Sequence, residues 1–146
     1  MSVKVSGVVP VRKMLNDLEK FLASPKPMEN ITEGAIEIIK DKTAKGLNYA
    51  HRKFEPYSKT YAKKKGGSKV NLMVTGKMLG DITNKVINPH HGMIFVKGDS
   101  AVIAAVHNQG IGKMPQREFF EINKSNRAEL TKKHYDDPIM KILKRR

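Results

Sequence analysis

The hydrophobic period of this chain changes part-way along, and that change limits what it can fold into. Up to about residue 82 the apolar residues recur at helical spacing, and beyond it they fall into short runs cut by turn residues. Pro10 followed by Val11, Met14, Leu15, Leu18, Phe21 and Leu22 predicts an amphipathic helix with proline in its first turn. Ser24-Pro25-Lys26-Pro27 ends it, because two prolines do not continue a helix. A second helix is expected from Asn30, with Glu33 at the capping-box position. Its apolar stripe is Ile31, Ala35, Ile38, Ile39, Leu47, Ala50 and Phe54. Gly34 and Gly46 would each cost this helix about 1 kcal/mol relative to alanine, so packing or a partner has to hold it. Pro56 stops it, and Ser58 is placed to cap a short helix through Lys64.

Lys65-Gly66-Gly67-Ser68-Lys69 reads as a mobile basic loop. Thr75 is the expected cap of a short helix carrying Met78, Leu79 and Ile82. Strands are predicted over Lys85 to Asn88, Met93 to Lys97 and Ala101 to His107, separated by Pro89-His90-His91-Gly92 and Gly98-Asp99-Ser100. Together they would make a small antiparallel β-meander. Asn108 to Met114 is a glycine-containing loop, and Pro115 to Ile122 is read as an added edge strand. A helix is predicted over Asn123 to Tyr135, capped by Ser125 or Asn126. Pro138 then opens a last apolar piece, Ile139, Met140, Ile142 and Leu143, before Lys144-Arg145-Arg146. The expected class is α+β: N-terminal helices, a small antiparallel β-meander and a C-terminal helix. The 146 residues suit a single domain spanning 1–146, in which the basic tail from about 136 to 146 is expected to order only in an assembly.

Charge narrows the partners. Lysine and arginine number 28 against 14 acidic residues, a net charge of +14, so the partner is expected to be anionic: nucleic acid, an anionic membrane or an acidic protein surface. With no cysteine, neither a disulfide framework nor a thiolate metal site can form. No signal peptide and no transmembrane span is read, so a membrane is not an expected partner, and the N-x-Ser/Thr matches at Asn30 and Asn123 are read as coincidental.

Catalytic and cofactor readings are weak. His90-His91, Asn108 and His134 occur in the residue order of a His-Asn-His nuclease, but that site needs two strands and a helix folded tightly about a metal, and His134 lies too many elements away. A polar turn at His90-His91 is the better reading, and zinc is weaker still. Gly66-Gly67-Ser68-Lys69 and Gly76-Lys77 lack the spacing of a phosphate loop. There is no G-x-S-x-G elbow, and Asp136-Asp137 beside Pro138 reads as a solvated pair. Neither an enzyme nor a cofactor or metal is expected. The basic clusters carry more weight. Lys59, Lys63, Lys64, Lys65 and Lys69 surround the double glycine with Tyr57 and Tyr61 interleaved, and Lys132, Lys133, Lys141, Lys144, Arg145 and Arg146 form a second group. Such clusters neutralise phosphates without reading sequence, and tyrosine can stack on an unpaired base.

One ordered series runs through the middle of the chain: Pro56-Tyr57-Ser58, a lysine-rich loop, Leu72 with Thr75-Gly76 and Met78-Leu79, His107-Asn108 with Gly110, and Pro115, Arg117 and Phe119-Phe120. It covers about half the chain and resembles the neck and tail-completion proteins of tailed bacteriophages, the virion morphogenesis or tail-component families. The resemblance implies a structural protein of the virion, assembled in the host bacterial cytoplasm. It would form a homo-oligomeric ring, six-fold or twelve-fold, at the head-to-tail junction beside connector, tail-terminator or tail-tube proteins. Phe119 and Phe120 are then candidate interface anchors, only one of which can face the core, and Arg117 is a candidate partner for an acid on the next subunit. Lys63, Lys64 and Lys65 would dock on an acidic surface or line a DNA channel. Tyr57, Thr75, Met78, His107 and Asn108 complete the interface expected from the series. Lys69, Lys132, Lys133, Lys144, Arg145 and Arg146 are candidate non-specific contacts with packaged DNA. The alternative is a non-specific nucleic-acid-binding protein with no ring.

Overall fold

A computed structural model describes residues 7–144. Arg145 and Arg146 lie outside the described residues. The α+β class stands: among the described residues seven α-helices, a π-helical turn and a two-stranded antiparallel sheet are formed. They run α1 (Val8–Ala23), α2 (Lys26–Lys45), α3 (Lys59–Lys65), α4 (Lys77–Gly80), β1 (Ile82–Asn88), β2 (His91–Val96), α5 (Ser100–Gln109), α6 (Lys124–Thr131) and α7 (Asp137–Leu143).

The second helix is displaced from its expected range at both ends. It starts at Lys26, because Pro25 and Pro27 fall in the cap and first turn, where a missing N–H is no loss. It stops at Lys45, where Gly46 turns left-handed at φ 79° and Leu47 N–H reaches back to the Lys42 carbonyl. Gly46 is therefore a helix stop and not a destabilised interior position. Leu47, Ala50 and Phe54 consequently leave the helical stripe. Asn48 pairs through its N–H with the Arg52 carbonyl, and its side chain accepts from Ala50 and Arg52 N–H. This tight loop returns Phe54 to the interior.

The sheet is a hairpin, not a meander. Ile82, expected in the helix before it, opens β1, and β1 pairs with β2 in the register Ile82↔Val96, Asn84↔Ile94, Val86↔Gly92, with an irregularity between Val86 and Asn88. The expected third strand, Ala101 to His107, is helix α5. A continuous apolar run does not by itself distinguish strand from buried helix. Here three alanines favour the helix, and Gly110 caps it left-handed at φ 68°. Ser100 and Ala104, four apart, face inward while Ala101, Val102 and Ile103 face out. The expected edge strand, Pro115 to Ile122, has no strand partner. Its backbone is held instead by single bonds: Arg117 N–H to His107 C=O (2.7 Å), Tyr49 N–H to Glu118 C=O (3.2 Å) and Phe120 N–H to the Asn108 side chain (3.0 Å).

At the C-terminal end, Asn123 rather than Ser125 or Asn126 is the cap, accepting from Asn126 N–H at 2.8 Å. The helix does not stop before Pro138. A π-helical turn, Lys132–Asp136, joins α6 to α7, with Asp137 N–H bonded to Lys132 C=O five residues back. The wider turn lets the helix pass a proline that has no N–H and would otherwise crowd the His134 carbonyl. Residues 137–143 of the stretch expected to order only in an assembly form α7. It packs on α1 and buries Ile142. Phe21 of α1 meets Tyr135 edge-on at 6.1 Å, and the Tyr135 hydroxyl donates to the Pro89 carbonyl in the hairpin turn.

Ile39, Phe54, Leu72, Met78, Leu79, Ile82, Ala104 and Phe119 form the core, with Ile36, Val70, Ile94, Val96, Phe120 and Ile122 packed against it. The hairpin lies on α2. Asn84 donates to the buried Thr32 hydroxyl at 2.6 Å, and a Cβ on Gly92 would stand 2.7 Å from Thr32 Cγ2 and 2.9 Å from Met28 Cγ. Gly92→Ala should therefore push β2 off α2 and destabilise the fold by about 1–3 kcal/mol, read as a lowered urea midpoint with unchanged slope.

Candidate functional site

The ordered series converges on one corner of the fold. Pro56 ends the return loop, Tyr57 follows, and Ser58 caps α3 by accepting from Tyr61 N–H at 3.2 Å. Tyr57 is the hub. Its hydroxyl accepts the Leu72 N–H at 3.2 Å, its ring meets Tyr61 edge-on at 4.9 Å, and the Lys65 and Arg117 cations each stand 4.9 Å from its centroid. Leu72 is buried with φ 51°, a left-handed backbone that disfavours a non-glycine residue, and the Tyr57 hydroxyl pins it there. Burial, with a smaller contribution from Tyr61, raises the Tyr57 pKa and keeps the phenol protonated.

Arg117 is 2 % exposed, which overturns its expected role as a partner for an acid on another subunit. Nε donates to the Glu55 carbonyl at 3.0 Å and Nη2 to the Pro56 carbonyl at 3.1 Å. The planar fork is spent inside the chain on residues 55–56, while the Arg117 backbone N–H bonds the His107 carbonyl at the end of α5. Met78 and Phe119 are likewise core residues and not interface residues. Phe120, 6.0 Å from Phe119, is half-buried against the same core. Asn108 is half-buried and holds the Phe120 N–H. Thr75 is exposed and accepts from Lys77 N–H at 3.3 Å, while Gly76 occupies the cap position expected for it.

The lysines divide. Lys59, Lys63, Lys64 and Lys69 are exposed, whereas Lys65 folds back to the Lys69 carbonyl (2.9 Å) and the Asn71 side chain (2.6 Å). Burial first, then the charge of Lys69, lowers the Lys65 pKa. In the C-terminal helix Lys132 is paired with Asp137 at 2.9 Å, while Lys133 and Lys144 are exposed. The two basic groups lie on separate elements.

Two clefts flank the Tyr57–Tyr61 pair. One, of about 200 Å³, is bordered by Val74, Thr75, Ile103 and His107. The other, of about 230 Å³, is bordered by Ser58, Lys113, Met114 and Pro115. Val74 is 72 % exposed and Ile103 50 %, with Tyr61 and Met114 also exposed. The corner is thus an apolar, aromatic surface bordered by Lys77 at one cleft and Lys113 at the other, and Tyr61 shares α3 with the exposed Lys59, Lys63 and Lys64. Sequence reading missed Ile103 and Val102, because in a strand one of each alternate pair would have been inward. It also missed Lys42, a buried lysine of α2 that donates to Asn126 Oδ1 (2.6 Å) and the Tyr49 carbonyl (3.3 Å), and whose pKa burial lowers.

The histidines expected to be poor metal ligands sit on the hairpin turn (His90), at the start of β2 (His91), in α5 (His107) and in the π-turn (His134). Among the described residues no three His, Asp or Glu side chains gather as metal ligands, and no helix is long and apolar enough to cross a membrane. Comparison with family models, curated proteins and solved structures returns no match for this chain.

Two outcomes follow from this geometry. Tyr57→Phe leaves the buried Leu72 N–H without its acceptor and should cost about 1–3 kcal/mol, while Arg117→Lys, which cannot reproduce the fork, should cost a similar amount; both are read in urea melts. His107 Nδ1 is buried without a partner, and burial first, then the Arg117 charge, lowers its pKa. The unfolded chain therefore binds this proton more readily than the folded one. Stability is fully present above the ordinary histidine value of about 6.5 and declines as pH falls below it toward the lowered folded value. His107→Gln should flatten that decline, leaving the part due to His134, whose pKa burial and Lys133 also lower.

Proposed function

We propose that this chain is a structural assembly protein. In this reading, copies of it join into a six-fold or twelve-fold ring at the head-to-tail junction of a tailed bacteriophage particle. There it would contact adjacent connector, tail-terminator or tail-tube proteins. The observation that carries the assembly part is the exposed apolar surface at the Tyr57–Tyr61 corner, where Val74 (72 % exposed) and Ile103 (50 %) border one cleft with Lys77, Met114 borders the other with Lys113, and α3 carries the exposed Lys59, Lys63 and Lys64 beside Tyr61. An apolar centre with charged residues beside it is the layout of a protein interface, and the lysines favour an acidic neighbour. The virion placement rests on the resemblance of the Pro56 to Phe120 series. Several residues of that series support the corner from within: Tyr57 and Arg117 shape it, and Met78 and Phe119 lie in the core beneath.

Tyr61 supports a second reading. It is exposed on the lysine-rich α3, where it can stack on a base while Lys63 and Lys64 meet phosphates, as a non-specific nucleic-acid-binding protein requires.

The two readings separate experimentally. Lys59, Lys63 and Lys64 changed together to Glu, with Lys65 left in place because it braces the loop, should abolish ring formation or head–tail joining while the thermal unfolding of the subunit is preserved. Val74→Asp with Ile103→Asp should do the same. Unchanged assembly by both variants refutes the reading. Tight binding to random DNA at physiological salt, with an affinity falling steeply as salt rises, supports the nucleic-acid reading instead.

A further inference from the structure

A groove about 270 Å³ in volume runs between β2 and α5, apart from the Tyr57 corner. Ile94, Phe95 and Val96 line one wall. Successive strand side chains point to opposite faces, so three consecutive residues along one wall mean that the groove follows the edge of β2 rather than one face. The other wall is Ala101, Ala104, Ala105 and Asn108, the i, i+3, i+4, i+7 positions of one side of α5, where alanines leave room.

That edge is unpaired by a strand among the described residues, since β2 has β1 as its only neighbour in the sheet. Lys97 N–H bonds to Asp81 C=O just beyond the paired strands. Alternation then makes Thr83↔Phe95 and Lys85↔Met93 the hydrogen-bonded pairs, and it turns the backbone N–H and C=O of Ile94 and Val96 away from β1, toward the open side. An open strand edge beside a small-residue helix face is a receptor for an extended segment.

We propose that the groove receives residues 1–6 of a second copy of this chain as an added strand. The sequence Met1-Ser2-Val3-Lys4-Val5-Ser6 alternates, so that in extended form Val3 and Val5 share one face and Ser2, Lys4 and Ser6 the other. Six extended residues reach about 20 Å, the length of β2. Supply by a neighbour rather than by the same chain accounts for a second exposed feature. The α1 helix, which directly follows the segment, leaves Val9, Val11 and Leu15 exposed, and α5 leaves Val102 68 % exposed. Handing the segment across places the donor's α1, which begins at Val8, beside the receptor, where its apolar face can be covered. The inference rests on the self-assembly reading above and gives it a specific joint, head-to-tail in kind because donor and receptor are different surfaces.

The test uses the full-length chain. Val3→Asp with Val5→Asp spoils the donor, and Ala101→Trp fills the mouth of the groove at an exposed position; Gln109→Trp is a second groove variant should the first disturb α5. Each variant alone should weaken self-association about a hundredfold in sedimentation, with circular dichroism unchanged. A mixture of the donor variant and the groove variant should recover a 1:1 complex, since each keeps the half the other lacks. Hydrogen exchange at the Ile94 and Val96 amides should slow on assembly. Variants that assemble like the parent, or a mixture that forms no complex, overturn the proposal while leaving the ring reading intact. A monomeric parent defeats the ring reading, and the groove is then judged with a synthetic peptide of residues 1–6: saturable binding that slows exchange at Ile94 and Val96 upholds it, and no binding overturns it. A monomer whose Ile94 and Val96 exchange quickens in the Val3→Asp, Val5→Asp variant closes the strand within its own chain, which also overturns it.

Discussion

Arg117 enters the interior without a salt bridge among the described residues, and its charge is absorbed by the carbonyls of Glu55 and Pro56 and by the face of Tyr57. Burial lowers its pKa, and Tyr57 and Glu55 partly offset that shift, but a guanidinium stays charged through any such change. The consequence is geometric. Three stretches far apart in sequence meet at one residue: the Arg117 guanidinium bonds residues 55–56, and its backbone N–H bonds the end of α5. Tyr57, fixed from one side by Arg117, in turn holds Leu72 in a left-handed backbone and supports Tyr61 at the surface. The clefts beside the aromatic pair exist because this internal clamp holds their walls.

The same economy explains why the fold has surplus apolar surface. One hairpin and seven helices, three of them seven residues or fewer, enclose a core of eight buried side chains. The outer faces of α1 and α5, the mouth of the Tyr57 corner and the edge of β2 are left uncovered by the described residues. Apolar area left in water favours association, and the exposed lysines beside it make an acidic surface a better partner than an arbitrary one. That is the physical ground on which the assembly reading stands.

Much of the helical half was legible. The Ser58 cap and the short lysine-rich helix occur where the spacing put them, because a cap is a local hydrogen bond. The hairpin was legible from its Pro89-His90 turn. The end of α2 was misread because an apolar stripe continues through Leu47 and Phe54, and nothing local says that Gly46 will be used as a stop. α5 was misread because a run of alanine, valine and isoleucine has no period to count. Of the site, Tyr57 and the exposed lysines were legible as residue types, but Arg117 was assigned to the outside because its carbonyl partners come from residues about sixty positions away.

The order of amino acids by itself determined the class, the Ser58 cap, the hairpin turn and the strongly cationic character, since each follows from local backbone chemistry or from a simple sum of charges. Only the tertiary structure decided which side chains became clamp, core or surface. Arg117, Met78 and Phe119 went inward, and Val74, Ile103 and Tyr61 were left outside. Burial depends on which distant segments arrive at the same place, and no period or spacing along the chain encodes that.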